Sequence, residues 1–135
     1  FKALTGKLVT QYNGYTAATG LTEKVNGNLT LGENIADLGG LNIAYDAFQK
    51  AVAGKPDPMT DGMTRDQRFF LGFASDWREK YTPELTKMII ASDPHSPDGV
   101  RANGTPSNVD AFAKAFGCKE GDAMVNSGDK KVVIW

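Results

Sequence analysis

The stretch Thr30-Leu31-Gly32-Glu33-Asn34-Ile35-Ala36-Asp37-Leu38-Gly39-Gly40-Leu41 constrains this chain more than any other. Apolar residues continue from it as Leu31, Ile35, Leu38, Leu41, Tyr45, Phe48 and Val52, in the steps of three and four that mark one helix face. The pattern predicts a helix from about Leu31 to Ala53, ended by Gly54. Glu33 and Asp37 fall one turn apart beside the apolar stripe. Two carboxylates brought together repel, and each is relieved by a cation or a proton donor. A metal on Glu33, with Asp37 holding a neighbouring ligand, would answer that cost. The same residues also read as an ordinary helix start. Thr30-x-x-Glu33 is a capping box, and acidic residues suit the positive end of the helix dipole. Gly39-Gly40 costs roughly 1 kcal/mol per glycine relative to alanine, which close approach of another backbone or a ligand would explain.

The remaining chain reads as further helices joined by long loops. Phe1 to about Ala18 places Leu4, Leu8, Val9, Tyr12 and Tyr15 on one face. Asn26-Gly27-Asn28 signals a turn. Thr64 with Gln67 three residues later is a second capping box, opening a helix with an aromatic stripe of Phe69, Phe70, Phe73, Trp77 and Tyr81. Thr82-Pro83-Glu84 starts another helix, reaching about Ala91. The segment from Ser92 to Pro106 is rich in Pro and Gly and reads as irregular loop. Ser107-x-x-Asp110 begins a helix that puts Val109, Phe112, Ala113 and Phe116 inward and ends at Gly117. Val132-Val133-Ile134 reads as a short terminal strand. The expected fold is mainly α: about five helices, long loops and one short C-terminal strand.

The 135 residues suffice for one domain with a single core. A net charge of -1 without a basic cluster excludes an electrostatic footprint for nucleic acid. Cys118 is the only cysteine, so no internal disulfide forms. His95 is the only histidine. Catalytic zinc sites use three protein ligands with histidine prominent among them, and no H-E-x-x-H helix occurs in the chain.

A second constellation surrounds that histidine. Asp93-x-His95 sets a carboxylate two residues from an imidazole, with Arg101 six residues further on. A carboxylate beside a histidine favours its charged form and fixes its orientation. A positioned imidazolium can donate to an oxygen on which negative charge develops. Arg101 can hold a carbonyl or carboxylate with a forked pair of hydrogen bonds. Read alone, the same residues are equally a hydrogen-bonded turn and a surface arginine.

Gly32-Glu33-Asn34-Ile35-Ala36-Asp37 with Leu38-Gly39-Gly40-Leu41 resembles the third-ligand motif of the neprilysin-like zinc metallopeptidases. Phe69-Phe70-Leu71-x-Phe73-Ala74-x-x-Trp77 is similar to the helix that follows in that family, and Ser92-Asp93-x-His95-Ser96-Pro97 with Arg101 and Asn103-Gly104 to its second signature. The helix at Phe1 to Tyr12 and the aliphatic, Trp135-terminated tail also have counterparts there, so the resemblance runs through nearly the whole chain in the family's order.

The resemblance implies that residues 1–135 are the C-terminal part of a thermolysin-like zincin catalytic domain that hydrolyses peptide bonds with one Zn2+. Glu33 would be the third zinc ligand, and Asp37 would orient a zinc-binding His. His95 would stabilise the tetrahedral intermediate, oriented by Asp93. Arg101 would bind the peptide backbone, and Trp77 would line the pocket for the substrate side chain past the cleaved bond. Asp76 stands before Trp77 where an apolar residue is expected. The two zinc-binding His and the general base would come from an upstream part of the parent enzyme, so this chain alone would neither hydrolyse peptides nor hold zinc tightly. The face left bare by that missing part predicts a dimer or a swapped pair. The resemblance also implies an extracytoplasmic setting, secreted or in a bacterial cell envelope. The alternatives are a non-catalytic helical interaction module and an inactive homologue, both distinguished by whether an H-E-x-x-H helix precedes Phe1.

Overall fold

The computed structural model describes residues 1–134. Six α-helices follow one another: α1 (Lys2–Gly14), α2 (Leu31–Val52), α3 (Arg65–Ser75), α4 (Pro83–Ser92), α5 (Asp98–Gly104) and α6 (Asp110–Phe116). Short 3-10 turns occupy Pro106–Asn108 and Gly128–Lys130. Among the described residues no helix is long and apolar enough to cross a membrane.

One core joins the helices. Leu8 and Tyr12 of α1 meet Leu38 and Leu41 of α2, Phe70 of α3, Val100 of α5, and Val109 and Val132. Tyr45 of α2 stacks on Phe70 at 5.2 Å between ring centroids, and Phe70 meets Phe112 of α6 edge-on at 5.5 Å. Burial of these rings is the main favourable contribution to the α2–α3–α6 packing.

Local signals explain several boundaries. Thr64 accepts from the Gln67 amide and Gln67 accepts from the Thr64 amide, forming the expected capping box of α3. Thr82 caps α4 with Pro83 in the first turn. Gly117 ends α6 at φ 66, the left-handed conformation glycine adopts without strain. Gly27 lies under α1: a Cβ there would come 2.4 Å from the Val9 carbonyl oxygen, while its N–H donates to Asn13 Oδ1 at 2.7 Å. Only glycine fits the turn that delivers the chain into α2.

Other expectations are corrected. Thr30 does not form a capping box with Glu33: its hydroxyl accepts from Asn34 Nδ2 at 2.9 Å and donates to the Asn26 carbonyl at 3.2 Å. α1 stops at Gly14, and Thr16 turns to form an isolated bridge with Lys24. α3 ends at Ser75, so Trp77 and Tyr81 lie beyond it. The Asp76 and Trp77 amides bond Phe73 and Ala74 in a tightened last turn.

The segment read as loop contains α5. Its two glycines argue against a helix, but burial of Val100, Arg101 and Gly104 overrides that local preference, and Gln11 of α1 donates to the Gly104 carbonyl at 3.0 Å. Val132-Val133-Ile134 pairs with no strand among the described residues. Instead Val132 is fully buried and its N–H donates to Asn108 Oδ1 at 3.1 Å. Trp135 lies outside the described residues. Beyond the backbone of α2 itself, no atom comes within 4 Å of a Cβ built on Gly40, which faces an open groove between α2 and α3 lined by Phe69 and Phe73, whereas Gly39 is buried.

Candidate active site

The first turns of α2 carry Glu33, Asn34 and Asp37, with Asn34 turned inward and the two carboxylates along one edge. Three other segments converge on that edge. The loop after α4 brings Asp93, His95 and Ser96, α5 brings Arg101, and the turn after α3 brings Trp77.

Arg101 is the hub. Its Nε and Nη2 donate to the two oxygens of Asp37 at 2.7 Å each, and Nη2 lies 3.7 Å from Glu33 Oε2. The guanidinium lies 3.8 Å from the centroid of the Trp77 ring. Planar stacking on one side and a fork on the other is a geometry that lysine cannot reproduce. Burial pulls the Arg101 pKa down, but the hydrogen bond and charge of Asp37, with Glu33 behind, outweigh it and hold the guanidinium above its ordinary value.

His95 lies between two carboxylates. Its backbone N–H donates to Asp93 Oδ1 at 2.8 Å, and ring Nδ1 sits 2.7 Å from the same oxygen. Nε2 is thereby turned to Glu33 Oε2, 3.3 Å away. Asp93 is held below the usual carboxylate range, first by the His95 backbone N–H and then by the ring. Beside His95 opens a cavity of about 260 Å³ lined by Trp77, Ile89, Ile90, Pro97, Asp98 and Arg101.

All six residues singled out from the sequence, Glu33, Asp37, Trp77, Asp93, His95 and Arg101, thus meet in one cluster. Two relationships were not foreseen. Arg101 spends its fork on Asp37, and Ser96 donates to Asn34 Oδ1 at 2.7 Å beneath the cluster. The signal for the second was available: Asn34 falls between Leu31 and Leu38 on the inward face of α2, where a polar residue needs a partner.

Among the described residues no group of three His, Cys, Asp or Glu side chains could hold a metal ion. The donor set is one half-exposed carboxylate, Glu33, facing the sole imidazole, so the chain's own residues fit a single zinc ligand rather than a complete site.

Comparison with known proteins identifies the chain's family. The model of peptidase family M13 matches residues 1–132. The chain is 43% identical to human endothelin-converting enzyme 1 over 138 aligned residues, covering 100% of this chain and 17% of that protein. It is 38% identical to Caenorhabditis elegans neprilysin-1 over 117 residues, covering 83% of this chain and 15% of that protein. The crystal structure of Mycobacterium tuberculosis zinc metalloprotease ZMP1 in complex with an inhibitor superposes with a TM-score of 0.91 at 43% identity, over 99% of this chain and 21% of that one. The chain therefore spans about a fifth or less of the proteins it matches. With the family model matched over residues 1–132 and its fold shared with a zinc metalloprotease, this chain belongs to peptidase family M13.

Proposed function

We propose that residues 1–135 are the C-terminal part of the catalytic domain of a zinc metalloendopeptidase, supplying one zinc ligand and the groups that hold and stabilise the scissile peptide. The observation that carries this reading is that His95 and Arg101, from two separate segments, both come within 3.7 Å of Glu33 Oε2 on a third. Glu33 is the third zinc ligand, and the two others with the general base come from an upstream H-E-x-x-H helix of the parent enzyme. Zinc, when bound, polarises the peptide carbonyl and activates water.

The chain's own residues do the rest. Asp93 fixes the His95 ring through Nδ1, leaving Nε2 to donate to the oxygen that gains negative charge. Asp37 and Trp77 immobilise Arg101, so its guanidinium meets a peptide carbonyl without losing side-chain freedom at that moment. Trp77 closes one wall of the cavity beside His95, where a substrate side chain is received. Asp37 also orients a zinc-binding His from the upstream helix. The chain alone neither cleaves peptides nor retains zinc, and the apolar surface it leaves open, Ile43 and Met88 included, favours self-association.

The test is His95→Asn in the full-length enzyme. Zinc content should be unchanged while kcat falls about 100- to 1000-fold, the usual loss for one oxyanion donor. A variant with wild-type kcat removes His95 from the chemistry. A wild-type enzyme that binds no zinc identifies an inactive relative.

A further inference from the structure

Two consecutive residue pairs bridge α2 and the loop after α4. The outer pair is Glu33 and His95, with 3.3 Å between Oε2 and Nε2. The inner pair is Asn34 and Ser96, with 2.7 Å between Oδ1 and the hydroxyl that donates to it. Their environments differ. The His95 side chain is half exposed, whereas Asn34 and Ser96 are 0% and 2% exposed.

We infer that Asn34 and Ser96 are a positioning pair that sets the His95 ring relative to Glu33. This rests on the reading of His95 as the oxyanion donor. The Asn34 amide has one orientation open to it: Nδ2 donates to Thr30 Oγ1 at 2.9 Å, and that hydroxyl in turn donates to the Asn26 carbonyl at 3.2 Å. Oδ1 is left as an acceptor aimed at Ser96. The Thr30–Asn34 ladder thus ends in a fixed acceptor inside the protein.

The loop needs such an anchor. Residues 93–97 have no regular secondary structure, and the His95 amide is committed to Asp93 of the same loop. The ring contact to Asp93 lies within the loop and moves with it, and the one ring contact that crosses to α2, to Glu33 at 3.3 Å, joins two partly exposed side chains and holds geometry weakly. The buried hydrogen bond one residue on is the specific tie between loop and helix. Without it the imidazole moves with its loop, and a misplacement of about 1 Å at a reacting centre costs on the order of 100-fold.

In the full-length enzyme, Ser96→Ala should lower kcat by about tenfold to a hundredfold and leave KM within about threefold. Zinc content should be unchanged. Ser96→Thr, which keeps the hydroxyl, should restore most of the rate. Because His95 is the only histidine, ¹⁵N-histidine labelling of the 135-residue chain gives a single ring. Ser96→Ala should move its Nε2 resonance and leave Nδ1, held by Asp93, in place. If Ser96→Ala does not fold, Ser96→Cys, close in size but a weaker donor, takes both measurements. A folded variant with wild-type kcat, or with an unmoved Nε2 signal, overturns the inference. A wild-type enzyme without peptidase activity overturns the role of His95 instead, and the Nε2 signal still decides whether the pair places the ring.

Discussion

Arg101 and Asp37 form a two-pronged ion pair at 2.7 Å, and both side chains are only 10% exposed. Removing one partner from such a pair strands a charge in a poorly solvated place, which typically costs about 3–5 kcal/mol. Asp37→Ala is therefore expected to lose about that much in urea unfolding. Replacing both partners with apolar residues, Asp37→Leu with Arg101→Met, should recover most of the loss because no charge is left behind. Equal losses in the single and double variants would show that packing against Trp77, not charge, sets the cost.

The sequence made the helix starts legible where the signal is local. Thr64-x-x-Gln67 and Thr82-Pro83 close their hydrogen bonds within one turn, and the structure forms both. Thr30-x-x-Glu33 has the same spacing but fails, because Asn26 and Asn34 compete for the hydroxyl and Asn34 is itself committed to distant Ser96. α5 was hidden for a similar reason: two glycines speak against it, and contacts from α1 decide for it. The membership of the site was legible through the resemblance to the zinc metallopeptidase motifs, since spacing alone left Glu33 readable as a cap and His95 as part of a turn. Its wiring was not, since the partners of Arg101 and Ser96 lie in another segment of the chain.

Asp93 gives the site a defined acid limit. The His95 backbone and ring N–H hold its carboxyl below the ordinary range. The folded state then binds fewer protons than the unfolded chain between that lowered value and about 3.9, so stability rises with pH across the window. The contribution is fully present above about pH 3.9 and is lost as pH falls through the folded value. Asp93→Asn should accordingly be less stable than wild type at neutral pH, with the gap closing as pH drops below about 3.9. A gap that stays constant across an acid titration followed by circular dichroism would exclude this linkage.

Asp98 acts with the opposite sign. Burial, and then the nearby charge of Glu79, push its carboxyl above the ordinary range, with Arg101 offsetting part of the shift. Here the folded state binds more protons than the unfolded one, so stability falls as pH rises from about 3.9 through the folded value. The penalty persists at neutral pH. Asp98→Asn should raise the melting temperature at pH 7 and change little at pH 3, where both states carry the proton. Asp98 lines the cavity beside His95, so the destabilising carboxylate faces that cavity.

Glu33 separates stability from function. Were it a cap, removing its carboxylate would cost α2 about 0.5–2 kcal/mol. It makes no capping bond, and its contacts are to His95 at 3.3 Å and Arg101 at 3.7 Å from a half-exposed side chain. Exposed pairs of this kind contribute about 0–1 kcal/mol. Glu33→Gln should therefore leave the unfolding midpoint of this chain almost unmoved. On the proposed role of Glu33, the same change in the full-length enzyme would remove one of three ligands, and zinc retained after dialysis, read by atomic absorption, should fall far below one per molecule. Loss of stability with zinc retained would assign Glu33 to the helix start after all, and the cluster around it would then need another carboxylate to account for the metal.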